Sequence, residues 1–273
     1  MDIQKAISFV EENGTELEKH RLDYLLGEKR DDKVPLRHLK ELQNDDGGFP
    51  YKNEKGKPSS VNNTSSNLGL MSELGLTDSE VCRNTVNYLM SVQGEDGGWD
   101  ENHAINQYNP PFWNLPGDLK TKMWLTASIL NHLIQLGYRE SEAVRKGKEF
   151  LLRNRDEDGK FFGFLHSTWI SVGVLGQLEG AHSDVVKKAL EVIEQNLDRL
   201  EDGAGDLIWC LECLFAAGIS KDTPMVKKCI DKVIVLQRQD GTWASGAGEE
   251  YSVSTTINAV RILKMYEVWR TER

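Results

Sequence analysis

The stretch "LQNDDGGF", residues 42–49, decides how this chain is read. It returns as "VQGEDGGW" at 92–99 and as "LQRQDGTW" at 236–243. Weaker copies stand in "NRDEDGKFFGF" (154–164) and "DRLEDGAGDL" (198–207). A turn that recurs through one chain marks a repeat architecture, in which each copy joins the same pair of elements. The elements on its two sides differ in kind. Upstream, "SDVVKKALEVIEQNLDRL" places Val185, Val186, Ala189, Leu190, Ile193 and Leu197 on one helical face and Lys187, Lys188, Glu191 and Glu194 on the other. Downstream, "STWISVGVLGQLEG" and "GDLIWCLECLFAAG" are apolar nearly all round, the pattern of a helix enclosed on most sides. Amphipathic segments are expected at 2–13, 34–43, 79–93, 140–155, 183–200 and 223–238. Enclosed segments are expected at 15–28, 62–75, 121–137, 166–180, 205–218 and 251–269, the first, "TELEKHRLDYLLGEK", being the most polar. No strand signal competes. The pattern predicts an all-α fold, an (α/α)6 barrel with six inner helices inside six outer ones. Each turn joins an outer C-terminus to an inner N-terminus, so all the turns fall on one rim. Their glycines are expected to supply the positive-φ positions that stop the outer helix, and the aromatic to pack back across the hairpin.

Composition bounds the partners. The 273 residues carry 33 Lys and Arg against 43 Asp and Glu, a net charge of −10. That balance argues against general binding to nucleic acid or anionic membranes, both of which need basic patches. Four cysteines, Cys82, Cys210, Cys213 and Cys229, lack the density of a disulfide scaffold and suit a reducing compartment. The start "MDIQKAISFVEEN" has no basic segment followed by an apolar one, and no apolar run reaches the ~18 residues of a spanning helix. The expectation is one cytoplasmic domain over 1–273, without a membrane span; oligomeric state is not legible.

At this point the repeat resembles a family. The Gln-x-x-Asp-Gly-x-aromatic pattern of 42–49, 92–99 and 236–243 is similar to the glutamine-to-tryptophan repeats of squalene and terpene cyclases, shared with the β subunits of protein prenyltransferases. The resemblance covers about residues 34 to 269 and implies an α/α toroid. It also implies signatures that can be sought. Class II cyclases begin an inner helix with D-x-D-D-T, whose central acid protonates an alkene or epoxide. The matching stretch here is Ser60, Val61, Asn62, Asn63, Thr64: the threonine is kept and the acids are gone. An amide does not supply a proton as a carboxylic acid does. Prenyltransferases hold zinc with an Asp, a Cys two residues later and a distant His. Asp206 matches the first, but Ile208 and Ser252 occupy the other places, so no metal is expected and no cofactor. The Cys210–Cys213 pair lies inside an apolar helix and reads as buried thiols. "RDDKVP" carries only Asp31 and Asp32 of the class I D-D-x-x-D motif.

What remains is a set of polar residues at inner-helix starts: Asp118, His166, Asp206, Glu249 and Glu250, with Tyr251 adjacent. Each has a structural reading as a cap or first-turn acid. As a set at one cavity mouth, Asp118, His166, Asp206 and Glu250 are the candidate acid–base residues. His166 is expected to be neutral, because a helix N-terminus disfavours its charged form. Inner-helix N-termini also offer a place for an anion such as diphosphate. Trp124, Trp169 and Trp209 stand near the starts of three successive inner helices, where aromatic faces can stabilise a carbocation or simply fill the ring. With Trp113, Phe164 and Tyr251 they form the candidate substrate-binding set. The segment 100–118, with Tyr108, Phe112 and Trp113, breaks the repeat spacing and reads as an ordered flap over the rim or a packing loop. Three functions follow: a terpene cyclase-like or prenyltransferase-like protein acting on a prenyl substrate in a central aromatic cavity; a non-catalytic toroid binding an apolar ligand or a protein; or a carbohydrate-active barrel using Asp206 with Glu250.

Overall fold

The structure is a computed structural model, and it describes residues 1–28, 31–197, 200, 203–246 and 248–269. Among the described residues the structure is predominantly helical, with the long helices in two alternating classes. The outer helices are α1 (Ile3–Asn13), α3 (Lys33–Leu42), α5 (Glu80–Ser91), α7 (Glu142–Arg153), α9 (Asp184–Asn196) and α11 (Pro224–Val235). The inner helices are α2 (Glu16–Leu26), α4 (Val61–Glu73), α6 (Leu119–Gln135), α8 (Leu165–Glu179), α10 (Ala204–Ala216) and α12 (Ser252–Met265). Burial separates the two classes as the sequence pattern requires. In α7 only Val144, Gly147, Phe150 and Leu151 are buried, one stripe of an amphipathic helix. In α8 every residue from Ser167 to Gly176 is buried. Each inner helix packs on the next from α4 through α6, α8 and α10 to α12, and α12 packs on α2. The ring closes where Arg21 of α2 donates from Nε and Nη2 to the two carboxylate oxygens of Glu73 on α4. The result is an α/α toroid.

The repeated turn has one geometry. In the first copy Gly47 N–H donates to Asn44 O and Asn44 N–H to Gly48 O, and the same pair of bonds recurs at Gly94–Gly98 and Arg238–Thr242. The Asp before each glycine, Asp46, Asp96 and Asp240, accepts through Oδ1 from the N–H two residues on. The aromatics Phe49, Trp99, Phe161 and Trp243 are fully buried. Their backbone N–H groups each donate to a threonine one repeat-half later: Thr64, Thr126, Thr168 and Thr256. The threonine of the S-V-N-N-T stretch is therefore one of four that seat a turn aromatic on an inner helix. Each repeat glutamine is a staple. Gln43 donates to Gly47 O in its own turn and to Val81 O and Thr85 Oγ1 on the next outer helix. Gln93 does the same to Gly97 O and Ala143 O, and Gln237 to Gly241 O and Asp2 O.

Two expectations are corrected here. The glycines do not end the outer helices. Helix α3 already ends at Gln43, which is extended (φ −60°, ψ 132°), four residues before Gly47. Gly47 serves the turn, at φ +87°, and lets the turn touch the next outer helix: a Cβ there would stand 2.6 Å from Asn84 O. Strand structure is also present, as a two-residue antiparallel pair, Phe49–Pro50 with Ser59–Ser60. It ties the first turn to the start of α4 and is too short to show as alternation. Of the turn expected at 198–207, Asp198, Arg199, Glu201 and Asp202 lie outside the described residues.

Candidate functional site

All six inner helices contribute to the wall of a cavity of about 1200 Å³. Its two ends differ. Toward the turns the wall carries Trp124, Ile170, Ile208 and Trp209, with Asn62 and Asn63 from the first turn of α4 and Tyr251 beside α12. Toward the C-terminal ends of the inner helices it carries Arg21, Glu73, His132, Glu212 and Arg261 among asparagine, glutamine and serine side chains. Arg21 completes its bonding by donating to Ser254 Oγ and Asn258 Oδ1 in addition to Glu73. Arg261 donates to Glu212. Burial raises the pKa of Glu212 against the lowering pull of Arg261. Burial, helped by Arg261, depresses that of His132 to about 4, so its imidazole is neutral at pH 7.

The aromatic end continues to the rim as a box of rings. His166 is sandwiched between Phe164, at 5.0 Å, and Trp209, at 5.2 Å. Trp169 meets Trp209 edge-on, and Trp113 lies 6.2 Å from Trp124. The segment 100–118 is docked on this box: Trp124 Nε1–H and the Thr121 hydroxyl both donate to Trp113 O. Two short 3-10 turns, His103–Tyr108 and Phe112–Asn114, shape it. His166 has a pKa of about 4, so it is neutral as expected, but the cause is burial among the rings rather than the helix terminus.

The sequence candidates divide by position. Trp124, Trp209 and Tyr251 line the cavity, whereas Trp113, Phe164, His166 and Trp169 form the ring box around its aromatic end. Asp118 caps α6, its carboxylate accepting from Lys120 N–H. Asp206 is exposed on the first turn of α10, with a pKa raised by desolvation. Glu250 is exposed, its carboxylate against Gly248. Neither Asp206 nor Glu250 lines the lumen. Glu249 pairs with Arg238 at the surface.

Glu101 is the residue that the sequence concealed. It is buried, and it occupies the N-terminus of α4 from the start of the 100–118 segment. Its carboxylate accepts from Val61 N–H at 2.7 Å, Asn62 N–H at 3.1 Å and Ser60 Oγ at 2.8 Å. The positive end of α4 is thus filled by the chain's own anion. Likewise α2 is closed by a capping box of Thr15 and Glu18 and α6 by Asp118, so three of the helix N-termini expected to receive a ligand anion are occupied from within.

No protein-family model matches the chain. Among curated proteins, the squalene–hopene cyclase of Bradyrhizobium diazoefficiens is 27% identical over 190 residues, covering 57% of this chain and 28% of the relative. That of Zymomonas mobilis is 37% identical over 79 residues, covering 27% of this chain and 11% of the relative. The chain thus spans less than a third of the length of these relatives. Among solved structures, the type II terpene cyclase MstE from Scytonema superposes with a TM-score of 0.68 at 14% identity, over 98% of this chain and 97% of the other. A variant of that cyclase, in complex with geranylgeranyl dihydroxybenzoate, gives 0.63 at 14% identity over the same shares. A protein from Actinoplanes gives 0.66 at 13% identity, over 97% and 98%. Repeat, toroid and relatives agree: in sequence the chain is similar to squalene–hopene cyclases, and in fold to a type II terpene cyclase.

Proposed function

We propose that this chain is a terpene cyclase-like protein that binds an isoprenoid in its lumen. The observation that carries the reading is the aromatic end of the cavity, where Trp124 and Trp209 face Ile170 and Ile208. Burying a prenyl chain there is favourable by roughly 25 cal/mol per Å². The ring faces also suit positive charge that develops along such a chain. Asn62 and Asn63 line the wall, and the resemblance assigns them to the positions of the acids in class II cyclases. Amides at that place hydrogen-bond a ligand and do not protonate it. Cyclisation therefore draws its proton elsewhere. None of the candidate carboxylates Asp118, Asp206 and Glu250 lines the lumen; Asp206, exposed at the start of α10 one turn before the lumen-lining Trp209, is the one proposed to reach a ligand from the rim. The amides equally favour a second reading, a binder without catalysis.

Titration with geranylgeraniol and geranylgeranyl diphosphate, followed by tryptophan fluorescence, tests the binding. Trp209→Ala is expected to weaken it about tenfold, consistent with loss of a buried aromatic contact. Product analysis by mass spectrometry, with Asp206→Asn as the comparison, separates a cyclase from a binder. Failure of every prenyl compound to bind at high micromolar concentration would end the isoprenoid reading.

A further inference from the structure

The apolar wall of the lumen is short. The cavity, at about 1200 Å³, exceeds the roughly 300–1000 Å³ of ordinary small-molecule pockets, so volume alone would admit a long isoprenoid. The lining would not. Past the tryptophans every inner helix turns a polar side chain to the lumen: Arg21, Glu73, Asn131, Gln177, Glu212 and Arg261. These side chains are joined across the helices. Gln177 Nε2 donates to Asn131 Oδ1 at 2.9 Å and ties α8 to α6. Arg261 donates to Glu212 and ties α12 to α10. Arg21 ties α2 to Glu73 on α4 and to Asn258 on α12. The belt so formed is open to a ligand: its four charged side chains keep 12–26% of their surface, and Asn131 and Gln177 are half-buried. Phe215, Ala216 and Met265 restore apolar wall farther on, but a chain reaches them only by crossing the belt.

Helix geometry gives the depth of the apolar stretch. Glu212 follows Trp209 by three residues on α10, a rise of about 4.5 Å. Asn131 follows Trp124 by seven on α6, and Gln177 follows Ile170 by seven on α8, a rise of about 10 Å. Hydrocarbon entering from the turns therefore meets polar wall after about 5–10 Å. Three extended backbone bonds span about 3.5 Å, so the four chain bonds of one isoprene unit span about 5 Å. We infer that the polar belt sets the length of prenyl chain that this lumen seats, and that this length is one or two isoprene units. The inference rests on the isoprenoid reading above and narrows its substrate class. A third unit would strip water from linked amides and ion pairs and return no hydrogen bond to them. The further units of a longer chain stay at the rim in water, where they add nothing to affinity.

The test titrates the unaltered chain with dimethylallyl alcohol, geraniol, farnesol and geranylgeraniol by calorimetry. Burying five more carbons raises affinity by at least about tenfold. That gain is expected from dimethylallyl alcohol to geraniol, and a gain of less than about threefold from geraniol to geranylgeraniol. A second protein carries Asn131→Leu together with Gln177→Leu, because either amide alone would lose its partner. Circular dichroism checks that it keeps its helices. With the belt opened to hydrocarbon between α6 and α8, farnesol should bind this protein at least about tenfold more tightly than geraniol. Affinity for the unaltered chain that climbs about tenfold at every step to geranylgeraniol would overturn the inference. That series needs no variant, so it decides the matter even where the double substitution fails to fold. A folded double variant with the length profile of the unaltered chain would also overturn it. If none of the four alcohols binds, the isoprenoid reading itself fails and the length limit falls with it.

Discussion

At the scale of single residues, His132 links the lumen to pH. An unfolded histidine takes up its proton near pH 6.5, whereas the buried ring of His132 resists it until about 4. A depressed folded value means that the unfolded chain binds the extra proton first. The contribution of His132 to stability is therefore complete above about pH 6.5 and is lost as pH falls toward 4. The full shift corresponds to roughly 3 kcal/mol at most. Urea midpoints measured between pH 7 and 4.5 should fall more steeply for the unaltered chain than for His132→Leu. Glu101 and Glu212, whose values burial raises, act in the opposite sense, so the difference between the two proteins is the informative quantity. Identical slopes would remove His132 from the account. The site was only partly legible before the fold was known. Asn62, Trp124 and Trp209 announce themselves through the repeat frame. Glu101 sends no local signal, because the helix that it caps begins 40 residues earlier in the chain. The charged end is hidden for a related reason: Arg21, Glu73, Glu212 and Arg261 stand on four different helices and form a cluster only when the ring closes. Glu212, an acid inside the otherwise apolar run 207–217, is the signal in the sequence that could have pointed to a charged wall.

At the scale of the element, the turn does two things with one glycine. Gly97 has φ +87°, and a Cβ on it would stand 2.4 Å from Lys146 O and 2.7 Å from Lys146 C on α7. Gly137, at the end of α6, has the same φ with nothing within 4 Å of its missing Cβ. Alanine at either position carries the left-handed strain, about 1 kcal/mol. Only at 97 must the backbone of a neighbouring helix also retreat, which adds about 1–3 kcal/mol of overpacking. Gly97→Ala should thus lower the unfolding free energy by about 1–3 kcal/mol more than Gly137→Ala. Matching denaturation curves for the two variants would show that the turn and α7 are not held in contact. The helices themselves were legible to within four residues at each end. The span expected at 140–155 is Glu142–Arg153, and that at 166–180 is Leu165–Glu179. Amphipathic periodicity reports which side of a helix is wet, and so it separates the rings. It carries no information on how a turn meets the next repeat. The staple role of Gln43, Gln93 and Gln237, and the displacement of the glycines from the helix ends into the turns, became readable only from contacts between repeats.

At the scale of the whole molecule, a closed ring differs from an open stack of repeats in having no end that can fray alone. The last staple shows the closure. Gln237, after α11, donates to Asp2 O and accepts from Asp2 N–H, 235 residues away in the chain. The turn at Gly241 fits against the backbone of α1, where a Cβ would meet Ala6 N at 2.7 Å. Helix α1 packs on α12 and buries Ile3, Ala6, Ile7 and Val10. Burying three β-branched side chains and an alanine contributes on the order of 5–8 kcal/mol. The whole stability of a folded domain is about 5–15 kcal/mol. In an open solenoid, removing a terminal repeat costs one interface and the rest survives. Here the chain lacking residues 1–13 loses the cover of α12, the staple partner of Gln237 and the neighbour of the Gly241 turn at once. It should therefore show no cooperative urea transition, and it should bind a hydrophobic dye that the complete chain excludes. The single substitution Gln237→Ala should cost only about 1–3 kcal/mol, the scale of its lost hydrogen bonds, and keep a sharp transition. A cooperative transition in the shortened chain, displaced by no more than that of Gln237→Ala, would mean that the ring behaves as an open stack and that the join between α1 and α12 adds little beyond its one glutamine.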